Sequence, residues 1–480
     1  MRVVFLRAYA ADSPYQWSMP PLGIGYLLAV LKQGLPRDEF AFAMSLEQAL
    51  DAQPDLVAIS SASENFTAAQ QIARRLRQER GINVIVGGAH ITALPHTLPD
   101  CFAAGVLGEG EPVIVNLVEA LRDGKARAEA LRRIPGIAYH DGGRVAVTGP
   151  RRHVENLDDL PFPDREALGD GWAVPRSQQV HLISSRGCPY DCSFCASARG
   201  ASRFRRFSPE YVAREIEWLR RQYDPEEIYF FDDLFIADRA HFREVCRLIR
   251  ERGLHEGVIF RSYGRANLID AEILDLVEAC NFLFLDFGFE SNCEKTLRYL
   301  NKTGVTPQIN QRALDLIRGR NISVGASLII GSPDETREDI RESYDFVVRN
   351  RDVIDRMSVG PLLPIPGTRV WAEALERGLV AETMDDWSRV GYPGAAWDPA
   401  RYPLLSRTLT AGELQTALRE FLTLQDAINA EGRIREFERR RQAAARYARR
   451  LKSELDAIKG SRLARWALKA RDWKQRVMPR

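Results

Sequence analysis

Three thiols lie close together in the stretch SSRGCPYDCSFCAS (184–197): Cys188, Cys192 and Cys195, spaced C-x3-C-x2-C. The other four of the seven cysteines, Cys101, Cys246, Cys280 and Cys293, are scattered and share no spacing with them. An odd number of cysteines behind a start with no secretory leader argues against a disulfide framework. A structural zinc site wants four ligands in two close pairs, and the sequence offers no second pair. Three thiolates on one tight loop suit an iron–sulfur cluster with one iron left open to a further ligand. Unpaired thiols and such an oxygen-sensitive centre place the chain in a reducing, cytoplasmic setting.

Other chemistry-bearing residues stand where apolar runs end. The run 55–60 leads into SSASENFT, with Ser61, Ser63, Glu64 and Asn65. The run 83–88 leads into GGAH, with Gly87, Gly88 and His90, and the run 104–108 into GEGE, with Gly108, Glu109 and Gly110. Glycines at such ends let a ligand approach the backbone, while hydroxyls and amides supply hydrogen bonds. No G-x-G-x-x-G follows the first run and no P-loop is present, which disfavours a nucleotide cofactor of the usual kind. Further along, Asp232 and Asp233 end one run, Glu290 and Ser291 another, and Gly331 and Glu335 lie in GASLIIGSPDET.

The elements that must hold these residues follow from apolar periodicity. Residues 1–145 alternate apolar runs (2–8, 55–60, 83–88, 104–108 and 136–140) with helical patterns, including 25–32, 67–80 and 112–122. That order predicts an α/β, doubly wound (Rossmann-like) domain whose ligand sits at the carboxyl ends of parallel strands. Residues 146–175, rich in Pro and charge, read as a linker. Six further strand signals (180–185, 227–233, 257–264, 282–290, 323–331 and 356–364) alternate with helical patterns over 176–370. They predict a partial (βα)6 TIM barrel with function at the carboxyl rim. The cysteine loop follows the first of them.

In order, PPLGIGYLLAVL (20–31), VGGAH, GEGE and the cysteine loop resemble the cobalamin-binding (B12-dependent) radical S-adenosylmethionine (SAM) enzymes, over residues 1 to about 370. The resemblance implies that Cys188, Cys192 and Cys195 ligate a 4Fe–4S cluster whose fourth iron SAM chelates. It assigns SAM contacts to Phe194, Asp232, Asp233, Glu290, Ser291, Gly331 and Glu335. It assigns cobalamin contacts to Ser61, Ser63, Glu64, Asn65, Gly87, Gly88, His90, Gly108, Glu109 and Gly110. The D-x-H-x-x-G of many other B12 proteins is missing, so no histidine is expected on cobalt, and His90 is expected as a turn residue or corrin-edge contact. Arg261 and Arg265 at the third barrel strand are expected either to meet an anion or to pair with neighbouring acids.

The function implied is a methyltransferase acting on an unactivated carbon of a small-molecule or lipid-like substrate, through a 5′-deoxyadenosyl radical and methylcobalamin. The alternative is a cyclase, rearrangement or oxidation enzyme that uses the same cofactors without net methyl transfer. Either needs an electron donor such as flavodoxin or ferredoxin. A methylthio-transferase would need an amino-terminal cysteine set, and Cys101 stands alone there.

With 480 residues, 45% hydrophobic and 28% charged, the chain is an ordinary globular protein of about three domains. No apolar run is long enough to span a bilayer. The net charge of +2 hides an asymmetry: Arg433–Arg480 holds 17 basic and 5 acidic residues, the remainder 50 and 60. Residues 371–480 are expected to be mostly helical, with a possible substrate lid around WDPARYPLL. The end, SRLARWALKARDWKQRV, puts Leu463, Trp466, Ala467, Ala470, Trp473 and Val477 on one helical stripe beside Arg462, Arg465, Lys469 and Lys474. That pattern fits either peripheral contact with the inner membrane or packing on the protein's own acidic body. No nucleic acid is expected as a partner.

Overall fold

The computed structural model describes residues 1–9, 20–122, 128–150, 153–169, 179–197, 203–391, 398 and 401–460, without the side chains of 454 and 457–460. Two sheets organise it. The first has seven strands: β1 (Arg2–Arg7), β2 (Glu39–Ala43), β3 (Leu56–Ser60), β4 (Asn83–Gly87), β5 (Ala104–Val106), β6 (Ile137–Asp141) and β7 (Arg144–Val147). Their order is β2-β1-β3-β4-β5-β6-β7, parallel through β5 and antiparallel beyond it. Val3 to Leu6 are buried on both faces of β1, as a central parallel strand requires. Helices Leu22–Gly34 and Ile114–Ala120 cover one face, and helix Phe66–Arg80 covers the other. The order in which strands are added switches sides between the parallel β1 and β3, which opens a crevice at their carboxyl ends.

The second sheet is parallel and sequential: β8 (Gln179–Leu182), β11 (Glu227–Phe230), β12 (Ile259–Gly264), β13 (Phe282–Glu290), β14 (Ser323–Ile330) and β15 (Ile354–Pro361). Between the first two lies a small antiparallel pair, β9 (Ser185–Arg186) with β10 (Arg205–Arg206). Helices return each strand to the start of the next, giving the expected partial barrel. Their caps are local: Ser208, Asp238, Asp270, Thr306 and Thr336 each accept a backbone N–H from the first turn of the helix that follows.

The segment 153–169, read as a linker, is packed rather than solvated. Leu157 and Leu160 join the barrel core, Leu168 joins the first sheet's core, and Asp164 N donates to Gly25 O at 2.9 Å. Trp371, Trp387 and Val390 pack into the Phe66 side of the first sheet. Helix Ala411–Gly460 then runs across β15 and the amino-terminal ends of the barrel strands. Arg435 meets Asp355 at 2.5 Å, Arg439 also pairs with Asp355, Arg440 with Glu227, and Arg450 with Glu256 at 2.7 Å. Four arginines of the basic run, between Arg435 and Arg450, therefore dock on the protein's own acids. The tail stripe from Leu463 to Val477 lies outside the described residues, as does Trp397 of the expected lid. Among the described residues no helix is long and apolar enough to cross a membrane.

Candidate functional site

The cysteine loop leaves β9 at the carboxyl rim of the barrel and is pinned from two sides. Ser193 N donates to Leu300 O at 2.9 Å, Ser193 Oγ to Tyr299 O at 3.1 Å, and Val370 N to Ser193 O at 3.2 Å. Arg369 pairs with Asp191 at 2.6 Å. Cys192 is buried, while Cys188 and Cys195 are partly open. Burial pushes the Cys188 thiol up to about 11, opposed by the Tyr190 N–H and reinforced by Asp233, Cys195 and Cys192. Three mutually repelling sulfurs beside a carboxylate are poorly placed as free thiolates. An iron–sulfur cluster relieves that repulsion, so the donor set fits one.

Asp232 is buried and saturated: it accepts from Ser184 N at 3.1 Å, Ser184 Oγ at 2.9 Å and Ser185 Oγ at 2.5 Å. Burial raises it to about 6 against those donors. It latches the end of β11 to β8 and β9. Asp233 keeps solvent access and lies near Cys188; partial desolvation by the atoms around it raises its carboxyl, with Ser197 opposing. Glu290, in the left-handed region at φ 63°, is buried and accepts from Lys302 Nζ at 2.7 Å. Ser291 is fully buried, 3.0 Å from Ser343 Oγ, and holds the turn through Cys293 N at 3.1 Å. Glu335 accepts from Gly331 N at 2.6 Å and Ser332 N at 3.1 Å, and burial lifts it to about 7 against them. It therefore shapes the loop after β14. Phe194 packs toward Leu300, Leu362 and Val370. Arg261 lies inside the barrel, paired with Glu227 at 2.9 Å. Arg265 instead reaches the cysteine loop, 3.7 Å from Cys192 Sγ.

A cavity of about 480 Å³ opens between the two units. From the first sheet it takes Phe5, Arg7, Ser60, Gly87, Gly88, Gly108, Glu109 and Gly110; from the barrel it takes Ile183, Arg186 and Phe231. Gly88 sits at φ 114°, and a Cβ there would lie 2.5 Å from Ser61 O, so no side chain fits. The glycine-lined wall at the switch point fits a large flat ligand that approaches the backbone closely.

The remaining predicted residues stand apart from this cavity. Ser61 is buried behind the glycine wall, its N donating to Gly87 O at 3.0 Å, while Ser63 and Asn65 are buried and, with Glu64, face the 386–391 turn. His90 is fully buried, stacked on Phe66 at 3.7 Å and edge-on to Trp387 at 4.3 Å, with Nδ1 3.2 Å from Ser63 Oγ. Burial lowers it to about 3, so it is a neutral core histidine in the short helix Ala89–Ala93. Glu109 lines the cavity as part of an ion network. It pairs with Arg205, lies 3.5 Å from Arg186 and accepts from Val154 N at 2.8 Å; Arg186 also meets Glu111 at 2.6 Å. Burial acts to raise Glu109, but these partners hold it below its ordinary value. Arg186, Arg205 and Lys302 escaped the sequence reading because their partners lie far away along the chain, with no local signature.

Residues 182–347 match the family model of the radical SAM superfamily, and residues 13–118 that of the B12 binding domain. An uncharacterized methyltransferase of Pyrococcus horikoshii is 30% identical over 376 residues, covering 75% of this chain and 80% of that protein. The anaerobic magnesium-protoporphyrin IX monomethyl ester cyclase of Rubrivivax gelatinosus is 30% identical over 369 residues, 72% of this chain and 65% of that one. The fold is similar to that of the radical SAM methyltransferase TsrM from Kitasatospora setae, solved with cobalamin and a 4Fe–4S cluster bound: TM-score 0.64, 19% identity, 88% of each chain. The chain belongs to the B12-binding radical SAM enzyme family.

Proposed function

We propose that the chain is a cobalamin-dependent radical SAM methyltransferase that modifies an unactivated carbon of a small-molecule or lipid-like substrate. The observation that carries this reading is the shared cavity, with the glycine-lined strand ends of the first sheet on one wall and Ile183, Arg186 and Phe231 of the barrel on the other. When bound, the cluster with SAM supplies radical chemistry and cobalamin a transferable methyl group. Cys188, Cys192 and Cys195 hold the cluster. Asp233, open and beside Cys188, is better placed than the saturated Asp232 to meet the SAM amino group. Gly87, Gly88 and Gly108 let the corrin approach the backbone, and His90 keeps its ring in the core, away from cobalt. A flavodoxin or ferredoxin donates electrons, and the basic tail beyond Gly460 makes peripheral contact with the inner membrane.

The relative named as a cyclase supports a second reading, in which the same cofactors act without net methyl transfer. One experiment separates the two. Anaerobically reconstituted protein is given methyl-deuterated SAM and cell extract. A product carrying the labelled methyl supports methylation; 5′-deoxyadenosine formed with an unlabelled, altered product supports the second reading. If neither product forms although cluster and cobalamin are both loaded, the proposal is overturned.

A further inference from the structure

At the end of β12, Arg265 is 5% exposed, and among the described residues no carboxylate is paired with it. Its Nη1 donates to Cys192 Sγ at 3.7 Å and its Nη2 to Thr303 O at 2.9 Å, while its Cζ lies 3.8 Å from the centre of the Tyr190 ring. Nε is buried and has no hydrogen-bond partner. Tyr190 belongs to the cysteine loop itself, and Asn267 Nδ2 donates to its hydroxyl at 3.4 Å. The guanidinium is therefore fixed by stacking and by one carbonyl, with an N–H left aimed at a sulfur. A buried cation without a carboxylate is costly unless other negative charge lies near it. Three thiolate ligands supply such charge.

We infer that Arg265 is a positioning residue that raises the reduction potential of the cluster held by Cys188, Cys192 and Cys195, through its N–H bond to the Cys192 sulfur. The inference rests on the cluster reading above. Taking up one electron adds negative charge to the cluster and its thiolates. A fixed cation on one ligand sulfur stabilises that state more than the oxidised one, most strongly where water is excluded. The electron comes from a one-electron donor, which is oxidised in turn; no bond or proton moves at Arg265.

The test uses the full chain, reconstituted anaerobically as wild type, Arg265→Met and Arg265→Lys. Met keeps an apolar contact with Tyr190 and removes the charge; Lys keeps the charge and loses the planar fork. Iron content comes first, and about four irons per wild-type chain are expected. Wild-type protein without iron would overturn the cluster reading itself. Loaded samples are then titrated with dithionite and mediators without SAM, following the EPR signal of the reduced cluster. At the poise that half-reduces the wild type, the reduced-to-oxidised ratio of Arg265→Met is expected to be about tenfold lower, a shift of about 59 mV to more negative potential. Arg265→Lys is expected between the two. An unchanged potential in either loaded variant overturns the inference. Loss of the cluster from both variants also overturns it, because Arg265 would then be a structural clamp of the loop.

Discussion

At the scale of single residues, the three cysteines and His90 make opposite predictions. Changing Cys188, Cys192 or Cys195 to Ala is expected to abolish the cluster's visible absorbance and 5′-deoxyadenosine formation together, because each thiolate is one of three ligands. Survival of both in any single variant would remove that cysteine from the site. His90, by contrast, is expected to touch neither cofactor. EPR of the bound Co(II) cobalamin should show no nitrogen splitting that disappears in His90→Gln. What His90 does control is acid stability. Its folded value is about 3, against about 6.5 when unfolded. Below the unfolded value, the unfolded chain takes up a proton that the folded chain refuses, so stability falls on acidification by up to about 1.4 kcal/mol per pH unit. Asp232 at about 6 and Glu335 at about 7 have raised values, so their contribution has the opposite sign and is lost as pH rises through them. Comparing wild type with His90→Gln cancels those carboxyls. Denaturant melts should show the wild type losing ground to the variant between about pH 6.5 and about pH 4.5. A pH-independent difference would contradict the buried, neutral ring.

At the scale of elements, much of the fold was legible, because buried parallel strands are short continuous apolar runs. The runs behind β1, β3, β4, β5 and all six barrel strands stand out for that reason. Two edge strands did not: EFAFA of β2 is half-exposed, and RVAV of β7 carries no buried residue. The turn between β6 and β7 is DGGR, with Gly142 and Gly143 at φ 58° and 83°, a hairpin signal present in the sequence. The antiparallel run of β6 leaves no local trace, since strand direction is set by tertiary pairing. The cysteine loop was legible from spacing alone. The partners of Asp232, Glu290 and Glu109 were not, because each carboxylate is answered by residues from another element. Helix Ala411–Gly460 shows the same limit. Its polar sequence gives no sign that Gly432 meets β15, where a Cβ would stand 1.7 Å from Asp355 O. Gly432→Ala is therefore expected to lower stability by about 1–3 kcal/mol through overpacking. Gly412→Ala in the same helix, with nothing within 4 Å, should be neutral or slightly stabilising. Equal thermal melts for the two variants would mean the helix does not seat on β15 at Gly432.

At the scale of the whole molecule, the charge asymmetry divides in two. Arg435, Arg439, Arg440 and Arg450 are spent on Asp355, Glu227 and Glu256, which closes the amino-terminal end of the barrel, opposite the cofactor rim. The opposite face of that helix leaves Ile434, Phe437, Leu451 and Leu455 exposed. Residues 461–480 then add seven Lys and Arg against one Asp. That charge, with the exposed Arg441, Arg446 and Arg449, is available to an anionic surface, where each basic residue adds about 1 kcal/mol of attraction that falls with salt. A cut at Glu431 would strip the docked arginines and disturb the barrel. A chain ending at Gly460 keeps them and isolates the tail. In liposome flotation, the full chain is expected to rise with anionic vesicles at low salt and to stay down with neutral ones. The chain ending at Gly460 should stay down with both, while unfolding at the same temperature as the full chain. If the two float alike on anionic vesicles, the tail makes no membrane contact of its own.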